Sequence, residues 1–172
     1  MYSDAMQLLF DEHEIILEAI DQCRELLGKE DWFERQQSLE WFLNFFRQYG
    51  DEYHHQKEED ILFTLLAREN SLLGESLVES LKEHHVMFRE ELSEAREALS
   101  ESDWKRAEKI VRQYLRYLTD HISAENDELF ITADEILDDA TKESVYFSFL
   151  DKDRELGEAH KREFEEKVRN GR

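Results

Sequence analysis

The chain contains no proline and only five glycines among 172 residues. Proline and glycine punctuate turns and hairpins, so a chain nearly free of both must be built from long helices with few breaks. No stretch alternates apolar and polar residues between turn signals, so strands are not expected. Forty percent of the residues are hydrophobic, including eleven Phe, six Tyr and three Trp, enough to fill a core. The expected architecture is all-α: an up-down four-helix bundle with an additional C-terminal helical segment, in one domain over 1–172.

The caps and stripes divide the chain. Ser3 and Asp4 can start a first helix, on which Leu9, His13, Ile16, Ile20 and Cys23 recur at helical spacing, and Gly28 can end it. Asp31 with Glu34 forms a capping pair for a second helix running to about Asn70. That helix carries Phe42, Phe45, Phe46, Tyr49 and Tyr53, and Gly50 is a place where it can bend. The segment 70–74 reads as a loop. A third helix carries Leu77, Leu81, Phe88, Leu92, Ala95 and Leu99 on one stripe; a fourth, starting at Ser102 and Asp103, carries Val111, Tyr114, Leu118, His121, Glu125 and Leu129. The bundle spans about 3–138. A helical extension over 141–169, with Tyr146, Phe149, Leu150, Phe164 and Val168, is expected to pack across one end or side of it.

Charge excludes several partners. With 43 acidic against 22 basic residues the formal charge is −21, which repels both phosphate backbones and anionic lipid. Neither nucleic acid nor a membrane is therefore an expected partner. Cys23 is the only cysteine, so no intrachain disulfide or thiolate cluster can form, and it reads as a small buried hydrophobe. The N-terminus lacks a basic stretch ahead of an apolar run and no apolar run is long enough to span a bilayer, so a cytoplasmic location is expected.

An internal repeat carries the chemistry. In "HHQKEEDILF" His54 is followed by Glu58 and then by Leu62-Phe63; in "HISAENDELF" His121 is followed by Glu125 and then by Leu129-Phe130, with identical spacing. Glu12-His13 on the first helix matches Glu83-His84 on the third, so the first two helices resemble the next two. Residues i and i+4 share a helix face, so each His-Glu pair presents two donors to one point. Imidazole and carboxylate donors without thiolate suit iron, manganese or zinc. If both carboxylates bridge two ions and one further oxygen is shared, four imidazoles leave about two of roughly twelve positions open. A histidine or glutamate on an acidic helix is ordinarily a solvated surface group. Here they fall on stripes of Leu, Ile, Val and Phe, where a carboxylate without a cation costs several kcal/mol. By spacing alone His55 pairs with Glu59 as well as His54 does with Glu58, and Leu81 and Phe88 flank both His84 and His85. His160 reads as an exposed histidine, and Tyr53, Tyr114 and Tyr117 as core residues or supports of the ligands.

These pieces together resemble the hemerythrin-like, HHE cation-binding family: "EH" on the first helix, "HHQKEEDILF" on the second, "KEHH" on the third and "HISAENDELF" on the fourth, over about residues 5–135. The tail "GEAHKREFEE" is similar to a G-x-x-H segment of some members. The resemblance implies two iron ions, a non-haem di-iron pair joined by an oxo or hydroxo bridge, held by His13, His54, Glu58, His84, His121 and Glu125. It implies binding or reduction of a small oxygen or nitrogen species (O2, peroxide or NO), in a redox- or stress-related role. The alternative is an iron-handling or structural metal-binding protein without turnover. Two departures stand out. Oxygen carriers place a second histidine four residues after the third-helix ligand, where this chain has Phe88, or Arg89 counting from His85. The proline that commonly follows Leu-Phe is replaced by Thr64 and Ile131.

Overall fold

A computed structural model describes residues 1–171. Six helical rods make up the structure, with no strand among the described residues. They are α1 (Asp4–Leu27), α2 (32–69), α3 (71–100), α4 (104–136), α5 (Asp139–Leu156) and α6 (Glu158–Arg169).

The starts follow the capping signals. Side-chain oxygens of Ser3, Asp31, Asp103 and Asp138 accept from the backbone N–H three residues on, opening α1, α2, α4 and α5. Gly28 closes α1 at φ −85°, an ordinary right-handed conformation, so its freedom is not used there. The loop expected over 70–74 is reduced to one extended residue. Asn70 leaves the helix, and its Oδ1 accepts from Leu73 N–H at 3.1 Å, which starts α3 at once. Gly74 lies against α2: a Cβ there would stand 2.8 Å from Ala67 Cβ. The C-terminal extension is two helices, because Gly157 at φ +102° breaks it. Tyr53 Oη donates to the carbonyls of Leu156 and Gly157, at 2.9 Å each, and holds that corner down.

The core consists of two apolar clusters. One holds Ile16, Ile20 and Cys23 of α1, Phe42 and Phe46 of α2, Phe88 and Leu92 of α3, and Val111 and Leu118 of α4. The other holds Met6 and Leu9 of α1, Leu62 and Leu66 of α2, Val78 and Leu81 of α3, and Leu129 and Ala133 of α4. Along the chain α1 runs from the second cluster to the first, α2 returns, α3 repeats α1 and α4 repeats α2, which is the up-down order. Between the clusters every one of these rods crosses a layer of buried polar residues: Glu12, His13, His54, His55, Lys57, Glu58, His85, His121 and Glu125. The extension runs the same course along the bundle's side, against α1 and α2. Phe149 of α5 joins the second cluster, Phe164 and Val168 of α6 join the first, and Asp153 and Lys161 lie between.

No helix among the described residues is long and apolar enough to cross a membrane. Cys23 is fully buried, which pushes its thiol up to about 12.

Candidate metal centre

The rods are not uniform α-helix where they cross the polar layer. In α2 the stretches Phe46–His55 and Glu58–Phe63 are π-helical, as is Glu125–Leu129 in α4. Gln56 N–H bonds to Asp51 O and Phe130 N–H to Glu125 O, five residues back in each case. Such widened turns collect at functional sites because they re-aim side chains relative to the α-helical stripe. Here the widening lets the consecutive residues His54 and His55 both point inward, at 0% and 3% exposure. Gly50 lies inside the first widened stretch, buried and helical.

Two groups of potential ligand atoms result. His13, His54, Glu58 and Glu125 form one, and His55, Glu58, His85 and His121 the other; within each group the atoms lie within 4.8 Å of one another. Glu58 sends Oε1 to within 3.2 Å of His54 Nε2 and Oε2 to within 3.4 Å of His85 Nε2. Glu125 sends Oε2 to 3.2 Å from His13 Nε2 and Oε1 to 3.1 Å from His121 Nε2. Both carboxylates therefore reach from one group to the other. The Nε2 atoms of His13 and His54 are 2.8 Å apart, and those of His85 and His121 are 3.0 Å apart.

The outward nitrogens explain this orientation. His13 Nδ1 lies 2.7 Å from Asn126 Oδ1, His54 Nδ1 2.8 Å from Glu12, His55 Nδ1 3.3 Å from Asp51, and His85 Nδ1 2.7 Å from Glu59. A carboxylate or amide oxygen only accepts, so Nδ1 donates and Nε2 of the neutral ring turns its lone pair to the centre. Burial, then the neighbouring histidines, hold His85 well below the usual imidazole range. His55 is lowered to about 4, with burial the largest cause. These rings are kept neutral, the form that binds a metal.

The carboxylates are left without partners. None of the four oxygens of Glu58 and Glu125 accepts a hydrogen bond, although all are buried. Burial and the adjacent Glu125 charge push the Glu58 carboxyl well above the usual carboxylate range. Burial opposes a charge on Glu125 too, but His121 and His13 outweigh it and hold that carboxyl well below. Lone pairs and orphaned oxygens aimed at one enclosed space are what a divalent or trivalent cation satisfies, and the mixed N/O donor set fits iron, manganese or zinc.

The structure brings together five of the six residues singled out by sequence: His13, His54, Glu58, His121 and Glu125. His84 lies outside both groups, half-buried, with Nδ1 3.2 Å from His121 Nδ1, where it supports His121 from behind. Its neighbour His85 points inward instead, because one residue turns an α-helix by about 100°. The sequence held a signal for this. Val78, Leu81, His85, Phe88, Leu92 and Ala95 alternate steps of three and four along the buried face, whereas a series through His84 would need two steps of three and then two of four. His55 is the other addition; its ring stacks on His85 at 3.9 Å between centroids. The π-helical turn that brings it inward leaves no mark in the spacing. Glu59, its i+4 partner by sequence, serves His85 instead. His160 is exposed and pairs with Gln48, at 2.8 Å.

A family model, the hemerythrin HHE cation-binding domain, matches residues 4–133 and again 76–157. No curated protein and no solved structure gives a match.

Proposed function

The chain belongs to the hemerythrin HHE cation-binding domain family, and from that premise we propose that it holds two iron ions and binds or reduces O2, peroxide or NO. The ligands in this reading are His13 and His54 for one ion, His55, His85 and His121 for the other, with Glu58 and Glu125 bridging them. The observation that carries it is the pair of carboxylates whose oxygens each face a different group of imidazoles and accept no hydrogen bond. His84 takes the supporting role behind His121, and His55 supplies a fifth imidazole where oxygen carriers use a second histidine on the third helix.

That fifth imidazole changes the donor count. Five imidazoles and two bridging carboxylates supply about nine bonds, and a shared oxygen about two more, leaving about one of roughly twelve positions open. One position admits one small ligand. The layer is closed above and below by apolar side chains such as Phe63, Phe88 and Phe130, which limits access to molecules of a few atoms.

Metal analysis combined with visible absorption under anaerobic and aerobic conditions tests this. About two irons per chain, with an absorption band that changes on reduction and again on exposure to O2, NO or peroxide, is the expected result. One ion or none in protein from iron-replete cells would overturn it. Closure of the site, with no ligand residue more than 3% exposed, favours a second reading, an iron-handling or structural site without turnover. Two bound ions inert to all three ligands would select that reading.

A further inference from the structure

The polar layer contains four charges that the ligand set does not use. Lys57, fully buried, forms ion pairs with both Glu12 and Asp153. Lys161, 12% exposed, lies 2.5 Å from Glu12 Oε1 and 2.6 Å from Asp153 Oδ2. Two cations and two anions thus form a closed, neutral quartet drawn from α1, α2, α5 and α6. Burying four charges is costly, and apolar residues of the same volume would generally serve stability as well or better. The quartet needs another reason to be there.

Its geometry supplies one. Both lysines engage Glu12 through Oε1, leaving Oε2 to accept from His54 Nδ1 at 2.8 Å. The quartet reaches only the first ligand group. The second is held by a different unit, in which Arg89 binds Asp51 at 2.9 Å and Glu59 at 2.6 Å, the partners of His55 and His85. The C-terminal helices contribute to the first unit and not to the second.

We infer that Lys161 and Asp153 are positioning residues for the His13/His54 ion alone, so that the C-terminal helices hold one of the two ions while Arg89 independently holds the other. This rests on the two-metal reading above. Orientation of a ligating histidine by a carboxylate typically changes metal affinity by about 10–100-fold when lost. Glu12, held by both lysines, accepts from His54 Nδ1 and so keeps the Nε2 edge of that ring turned to the ion.

The test is a graded chelator titration of the zinc-loaded full chain, counting ions per chain while histidine ring NMR reports which Nε2 has been freed. Lys161→Met should release one ion at about 10–100-fold lower chelator, with the His54 ring responding first, and Lys161→Arg should restore the unaltered profile. Arg89→Met should shift the other ion, with His85 responding first. Asp153→Asn, which keeps the volume, must move release in the same direction as Lys161→Met and covers the case in which the latter loses helix content. An unaltered release profile in Lys161→Met or Asp153→Asn, or equal loss of both ions, overturns the assignment while leaving the two-metal reading standing. An unaltered chain that takes up neither zinc nor iron overturns both.

Discussion

The Nε2 atoms of His13 and His54 face each other across 2.8 Å, while their Nδ1 atoms are turned to Asn126 and Glu12. Two imidazoles held by their outer nitrogens cannot hydrogen-bond to each other while neutral, because both inner nitrogens then carry lone pairs. The Nε2 atoms of His85 and His121 also face each other, at 3.0 Å, with Glu59 behind His85 and His84 behind His121. The His13/His54 pair is a ligand fork that only a cation or an added proton satisfies.

The histidine doublet on α3 is the sharpest place to test which rings bind. His85→Ala should lose the ion shared with His55 and His121, lowering the metal content to about one per chain. His84→Ala should keep both ions and weaken binding less, since it removes only the ring behind His121. Metal content of the two purified variants decides the matter; loss in His84→Ala with retention in His85→Ala would reverse the assignment.

Packing at the turn between α2 and α3 gives a prediction independent of metal. A Cβ on Gly74 would lie 2.8 Å from Ala67 Cβ and 2.9 Å from its Cα, and backbone is not free to move aside. Gly74→Ala should therefore cost about 1–3 kcal/mol, the usual range for overpacking, despite alanine's better helix propensity. Denaturant unfolding of the metal-free protein measures this, and a stabilised variant would show that the two rods are not in such close contact.

Much of the fold is legible in the sequence because its signals are local. Ser3, Asp31 and Asp103 cap where their side chains allow, and the apolar stripes give four rods with their directions. The Asn70 turn was harder to read, since a single extended residue suffices where a loop over 70–74 was expected. In the centre, the repeated His-x-x-x-Glu pairs identify both carboxylates and two of the imidazoles, and the Glu12-His13 doublet gives a third. Spacing leaves His54 and His55 as alternatives, and only the π-helical turn brings both of them in. The buried quartet is hidden for another reason: Lys57 and Lys161 look like surface lysines until the fold supplies Glu12 and Asp153.

Removing metal should lower the melting temperature. An ion that binds only the folded chain stabilises it by about 4 kcal/mol when its free concentration stands about a thousandfold above the dissociation constant. For a chain of this size that is on the order of 10 °C. Calorimetry before and after a chelator that demonstrably strips the protein should show the drop; coincident curves would mean that the ions do not couple to folding.

Glu58 should have opposite effects on the loaded and the empty protein. When ions are bound its two oxygens join the two groups. Glu58→Gln leaves one oxygen able to ligate and should reduce the metal content to one ion or fewer. In the empty protein the same carboxylate faces Glu125 without a hydrogen bond, and burial followed by that neighbouring charge raises its pKa well above the ordinary 4.5. The folded chain then keeps this proton at pH values where the unfolded chain has released it. The group's cost is therefore absent below about 4.5, grows as the pH climbs toward the raised value and is constant beyond it. Metal-free Glu58→Gln should melt above the metal-free unaltered chain at pH 8, and the advantage should shrink steadily as the pH is lowered toward 4.5. Melting curves of both chains across that range check it. A variant that is less stable than the empty parent at pH 8 would show that the carboxylate is satisfied without metal, and would remove the main physical reason for placing a cation between Glu58 and Glu125.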